Sequence, residues 1–321
     1  MSPIDTLPPT PQLLATVARE CALPVAEELQ ALEQVLRSRL GDALSGLLFY
    51  GSCLRSGDPT EGLVDLYVLV DDYANVRTRL LPRLADQWLP PTVFLLKTQT
   101  PDGRTLRAKC ALISLEDFEE GTRSWFQSYL WGRFSQPSRL VYYRDAAVRD
   151  RVHVALANAV IRMMSQTLPG QDATFSSFAF WERAFALTYG TELRPEKASR
   201  PTEIVTHNAD YYARVTRDAA ASVVGLTPSE TEVDAFTRHS DASQQRHNRL
   251  RWRVRRVQGR TLNVLRLIKS LFTFEDGVDY VLWKLERHLG EPVKVSPYLH
   301  RYPLIFCWPL LWRLLRNRRL R

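Results

Sequence analysis

Phe49-Tyr50-Gly51-Ser52 closes a short apolar run, and thirteen positions after Ser52 an acid, Asp65, sits inside a second one, Val64-Asp65-Leu66-Tyr67-Val68. Glycine lets the backbone approach a triphosphate closely, and a serine hydroxyl with neighbouring amides can hold a phosphate oxygen. A carboxylate on the next strand suits Mg²⁺, which bridges phosphates and neutralises charge during transfer. A lone Gly-Ser is usually a turn, and Asp65 could be a strand-edge charge. The combination of an apolar strand, Gly-Ser and an acid within the following strand is what points to transfer chemistry.

One position breaks the expected pattern. Two acids at alternate strand positions would share a face and a metal, but the alternate position here is Tyr67. Asp71 also lies on the Asp65 face, yet six residues at about 3.3 Å each place it roughly 20 Å away. Three readings stay open. Another segment supplies a second carboxylate, the site uses fewer metal ligands, or the domain is degenerate and inactive.

The elements that would position these residues follow from periodicity. Residues 11–40 carry a helical apolar stripe that ends at Gly41. Gly46–Tyr50, Leu63–Val70, Val93–Thr98 and Leu106–Ser114 read as strands, with Pro101-Asp-Gly103 as a turn. Beyond residue 145 the pattern turns helical, over 148–168, 175–189, 210–220 and 259–272, with loops at 195–206 and 226–245. The expected architecture is α+β: a mixed-sheet domain over 1–145, a mostly α-helical domain over 146–295 and an amphipathic tail over 296–321.

The Gly-Ser and acid layout resembles that of polymerase-β-type nucleotidyltransferases. Within that superfamily, Tyr50-Gly51-Ser52, the single acid Asp65 and the strand end Val70-Asp71-Asp72 resemble the mitochondrial-type phosphatidate cytidylyltransferases. Several later segments resemble the same family in the same order: Leu89–Phe94, Lys109-Cys-Ala-Leu-Ile-Ser114, Trp125 with Tyr129-Leu-Trp-Gly132-Arg133 and Pro137, and Leu187-Thr-Tyr189-Gly190-Thr-Glu192-Leu-Arg194. The resemblance spans roughly residues 45–215. It implies transfer of cytidylate from CTP to phosphatidate, giving CDP-diacylglycerol and pyrophosphate, with Mg²⁺ as cofactor. Ser52, Asp65 and Lys109 would be catalytic, with Asp65 the metal ligand. Tyr50, Gly51, Ser52, Lys109 and Arg133 would bind the nucleotide. Lys97 is a weaker phosphate candidate, and Glu192 and Arg194 are expected to pair with each other.

Bulk properties narrow the partners. The 321-residue chain has a formal charge of +8, which calls for an anionic partner. Its four cysteines are far apart, which argues against a structural zinc or a disulfide framework and suits a reducing compartment. No apolar run reaches the ~18 residues a membrane span needs, and neither a secretory signal, a Walker loop nor a Rossmann glycine set is present. Tyr302–Leu315 is too short to span and is broken by Pro303 and Pro309. Leu310, Leu311, Leu314 and Leu315 share a face beside arginines, as an interfacial helix requires. Trp308, Leu311, Trp312, Arg313 and Arg316 are the expected membrane contacts, placing the protein on the inner face of a membrane. Nine basic residues and no acid lie between Ala242 and Phe274, but a single tryptophan there argues against nucleic acid. Two alternatives are a nucleotidyltransferase acting on RNA ends or a small molecule, and a degenerate domain that only binds.

Overall fold

Leu44–Tyr50 is buried at every position and Val64–Val70 at every position but Asp65. Strands apolar throughout belong in the middle of a sheet covered on both faces. The computed structural model, which describes residues 7–56, 59, 62–76, 80–192 and 199–273, puts them there. Strands β1 (Leu44–Tyr50), β2 (Val64–Val70), β3 (Thr92–Gln99), β4 (Thr105–Ser114) and β5 (Arg139–Tyr143) form one sheet in the order β3-β4-β2-β1-β5. The sheet is mixed: β2 and β4 run parallel, and the other neighbours are antiparallel. A short second sheet has the order β6-β8-β7, from β6 (Thr174–Phe175), β7 (Leu226–Pro228) and β8 (Phe236–Arg238).

Helices α1 (Pro11–Cys21) and α2 (Leu29–Leu40) precede the sheet, and α3 (Ser52–Ser56), α4 (Tyr73–Val76) and α5 (Leu80–Trp88) lie between its strands. Helices α6 (Leu115–Arg123) and α7 (Trp131–Phe134) separate β4 from β5. Then follow α8 (Ala146–Thr167), α9 (Ser177–Tyr189), α10 (Arg200–His207), α11 (Ala209–Ala219) and α12 (Ala242–Thr273). Caps set several starts. Ser114 accepts from Asp117 N at α6 and Asp145 from Val148 N at α8, each worth about 1 kcal/mol.

Side chains alternate across the sheet. Leu47, Phe49, Leu66, Val68, Cys110 and Leu112 pack with Leu29, Leu32 and Leu36 of α2. Leu48, Tyr50, Tyr67, Leu69, Ala111 and Ile113 face the other way, into a cluster that includes α1, α8, α9, α11 and Trp252 of α12. That cluster joins residues on both sides of position 145 without interruption. By the same alternation Tyr50, Asp65 and Lys109 share the second face.

The α+β class with a mixed sheet matches the expectation, and four element assignments need correction. The helix expected over 11–40 is two helices, because Pro24 lacks the amide hydrogen a continuous helix would use. Residues 200–207 form α10, with Pro201 in its first turn, where proline is tolerated. The loop expected over 226–245 holds two three-residue strands and the start of α12. The helix expected from Gly259 begins at Ala242; most of the polar residues ahead of Gly259 form its exposed face, while Asn248 and Arg255 are buried. Among the described residues no helix is long and apolar enough to cross a membrane. Trp308, Leu311, Trp312, Arg313 and Arg316 lie outside the described residues.

Candidate active site

Strand register brings the polar residues together. Tyr50, the last residue of β1, is the antiparallel partner of Asp65, and Asp65 is the parallel partner of Lys109 on β4. Lys109 Nζ lies 3.2 Å from Asp65 Oδ1, with side chains 26% and 22% exposed. An ion pair this close is screened incompletely yet remains open to a ligand.

Gly51 follows with φ +94°, a conformation side-chain-bearing residues rarely adopt. A Cβ there would fall 2.7 Å from Asp65 Oδ2. Glycine at 51 is therefore required twice, by its backbone angle and by the carboxylate lying against it. Ser52 opens α3 next to Gly51 and is exposed.

Arg133 on α7 completes the cluster from the helical side. Its guanidinium stands 4.3 Å from the Tyr129 ring centroid and 5.6 Å from that of Tyr50. It donates to Tyr67 Oη and to Glu192 Oε1, both at 3.4 Å. Those bonds are at the long end of the range, so the fork is positioned without being saturated. Arg266 of α12 covers Tyr129 at 4.1 Å and is fixed by Pro90 O at 2.9 Å and Gln127 Oε1 at 2.7 Å. Burial pushes the Tyr129 phenol up, but Arg133, Arg266 and Lys109 together outweigh it and bring it down to about 8. Tyr67 and Tyr50 lack that balance, and burial drives both up.

On the other side of Gly51 lies a small cleft of about 60 Å³ lined by Leu54, Arg55, Gln136, Pro137, Arg139 and His207, among others. Burial, then the charge of Arg200, pulls the Arg55 pKa down. Arg139 is held by Glu20 at 2.8 Å. The Asp65 charge also acts on Arg55, in the opposite direction to burial and Arg200.

Among the described residues no three His, Cys, Asp or Glu side chains gather as a metal site. Asp65 offers one carboxylate, with one oxygen on Lys109 and the other against Gly51. Mg²⁺ is commonly held by one or two carboxylates plus substrate phosphates. The donor set fits an ion delivered with a triphosphate rather than one caged by protein.

No protein-family model matches the chain, and no curated protein matches it in sequence. Among solved structures it is similar to a nucleotidyltransferase-like protein from Exiguobacterium sibiricum 255-15. The likeness is 12% identity over 90% of this chain and 91% of that one, with a TM-score of 0.27. A similarity at that level carries no functional argument.

The residues singled out in the sequence divide clearly. Tyr50, Gly51, Asp65, Lys109 and Arg133 converge, with Ser52 at the edge. Glu192 pairs with Arg133 of α7, and its expected partner Arg194 lies outside the described residues. Asp71 belongs elsewhere: despite partial burial, hydrogen bonds from Ser45 and Arg144 hold its pKa down. Tyr67, at the alternate strand position, is fully buried among Tyr50, Phe118 and Phe134. Lys97 is exposed on β3. Arg55, Arg139, His207 and Arg266 carry no local motif; only the folded chain brings them to the site.

Proposed function

We propose that the chain is a nucleotidyltransferase that moves cytidylate from CTP onto the phosphate of phosphatidate. The observation that supports transfer is the Asp65–Lys109 pair seated over Gly51, with the Arg133 fork beside it. The ordered resemblance over residues 45–215 supports CTP and phosphatidate.

In this reading an ionised phosphate monoester oxygen of the acceptor attacks the α-phosphorus of CTP. A new P–O bond forms, the α–β bridge breaks, and pyrophosphate leaves with the bridging oxygen. The nucleophile carries its charge at pH 7, so no strong general base is needed and catalysis is positioning plus charge neutralisation. Gly51 and Ser52 let the phosphates approach the backbone. Lys109 supplies a point charge, and Arg133 a planar fork for two phosphate oxygens. Asp65 orients Lys109 and would hold the Mg²⁺ that accompanies the triphosphate, which supplies charge neutralisation when bound. A lipid acceptor requires contact with a membrane surface, so the chain would work attached to the inner face of one.

The buried Tyr67, in place of a second carboxylate, favours a second reading: a domain that binds nucleotide without turnover. Incubation with labelled CTP and Mg²⁺, with phosphatidate, tRNA or no acceptor, tests both. Label in an organic-extractable product supports the first. Label in tRNA overturns the lipid acceptor. CTP binding without transfer to any acceptor overturns catalysis.

A further inference from the structure

Five arginines from three elements converge on a concavity that shares no lining residue with the Asp65 cleft. Arg183 comes from α9, Arg238 from β8, and Arg249, Arg253 and Arg256 from α12, around a cavity of about 550 Å³. Among the described residues a single acid, Asp172, lines it with them, so the formal charge of that lining is 5 − 1 = +4. Asp172, among the described residues, forms an ion pair only with Arg183, at 3.5 Å and with both side chains at least half exposed, an arrangement worth little.

The other guanidiniums are placed without being neutralised. Arg238 is anchored on backbone, donating to Ser240 O at 2.8 Å and Asp172 O at 3.4 Å. Arg249, Arg253 and Arg256 recur at i, i+4 and i+7, so they share one face of α12 along about 10 Å. The helix is fixed beneath them. Trp252 donates to Gln166 O at 3.1 Å, Asn248 to the same carbonyl at 2.7 Å, and Arg255 is buried against Phe126 O at 2.6 Å. These three guanidiniums have no carboxylate partner among the described residues.

A cleft lined by one sign of charge focuses its field inward and concentrates the opposite charge. Guanidinium forks match phosphate geometry. The volume falls within the range of small-ligand sites and exceeds the need of one phosphate. Trp252 is 4% exposed and offers no face for a stacked base, which argues against a single-stranded nucleic acid.

We propose that this groove is a second anion site, selective for a compact ligand with two or more phosphate groups, either free in solution or borne on a lipid headgroup. The inference does not depend on the nucleotidyl-transfer reading, and its test reads binding alone.

The full chain carrying Lys109→Ala and Arg133→Ala, which disables the Asp65 cleft, is titrated with inorganic pyrophosphate by calorimetry. Binding should persist, weaken as salt rises, and fall by about tenfold or more when Arg253→Glu and Arg256→Glu are added. Arg253→Lys with Arg256→Lys should recover part of it. If the charge reversals unfold the chain by circular dichroism, Arg183→Gln with Arg249→Gln replaces them. Sedimentation with phosphatidylcholine vesicles, with and without a phosphatidylinositol bisphosphate, separates the sources. Bisphosphate-lipid-dependent binding that pyrophosphate competes away assigns the site to a headgroup, and pyrophosphate binding with no vesicle binding assigns it to a soluble ligand. Pyrophosphate affinity that vanishes with Lys109→Ala and Arg133→Ala, or that ignores every groove substitution, overturns the proposal.

Discussion

Asp65 touches both Lys109 and the space over Gly51, so substitutions at these three residues should disturb one geometry in different ways. Asp65→Asn keeps the shape and removes the charge. Transfer should fall by roughly 10²–10³ or more with little change in melting temperature; near-wild-type turnover with Mg²⁺ would rule out the assigned role. Gly51→Ala should cost about 1–2 kcal/mol, from the left-handed backbone, and should also lower kcat, because its Cβ displaces the carboxylate. A variant destabilised in urea yet fully active would separate the backbone from the site. Tyr129 makes a pH prediction. Its folded pKa of about 8 lies below the ordinary tyrosine value, so the folded chain loses the proton before the unfolded chain does. Stability should therefore gain a contribution as pH rises through about 8 towards 10, and lose it as pH falls back. Tyr129→Phe should flatten that rise and remove the tyrosinate absorbance that appears near pH 8. An unchanged absorbance titration would mean that Arg133 and Arg266 do not act on Tyr129 as their positions require.

At the scale of elements, α12 is what closes the arrangement, and it is also what the sequence concealed. The apolar runs of β1 and β2 and the Gly-Ser between them announce two central strands. A lysine opening the apolar part of β4 suggests a neighbour for Asp65, although the parallel register is visible only in the fold. Arg266 and Lys269 are different. Basic residues on a helix are usually solvated, and nothing in their type or spacing says that these two are buried. Lys269 is buried against the fully buried Asp86 at 3.4 Å and donates to Leu89 O at 2.8 Å, pinning α12 to α5 and the start of β3. Removing one member of a buried pair leaves the other charge uncompensated and costs about 3–5 kcal/mol. Lys269→Met should show that loss in urea unfolding, and Asp86→Asn added to it should restore much of it. Equal losses in the single and double variants would show that the amino group acts through its carbonyl contacts instead. Pro24 teaches the converse: the helical stripe over 11–40 runs through it, although a missing amide hydrogen has a fixed consequence wherever it falls and could have marked the break between α1 and α2.

For the whole molecule, the charge of +8 is unevenly spent, and where it lies decides how the chain meets a surface. Helix α12 carries one arginine face, and Tyr302–Arg321, outside the described residues, adds five arginines among tryptophans and leucines with no acid. Deleting Tyr302–Arg321 should release the protein from anionic vesicles and depress activity on phosphatidate in bilayers. Activity on a short-chain, water-soluble phosphatidate should survive better, since every residue of the Asp65 site lies outside the deletion. The intact chain should bind less as salt rises, because the Debye length falls from about 10 Å at 0.1 M to about 3 Å at 1 M. A salt-resistant remainder should persist from the apolar side chains, which charge screening does not touch. Unfolding or aggregation of the truncated chain would place the segment in the core and remove the membrane argument. A folded truncation that still sediments with vesicles would move the contact to α12, where Leu250, Val254 and Val257 are 57%, 51% and 69% exposed beside the arginines. Because that face is helical and its apolar and basic residues are adjacent, charge reversal at Arg253 and Arg256 should then abolish the salt-sensitive part of binding, while Val254→Ser with Val257→Ser abolishes the remainder.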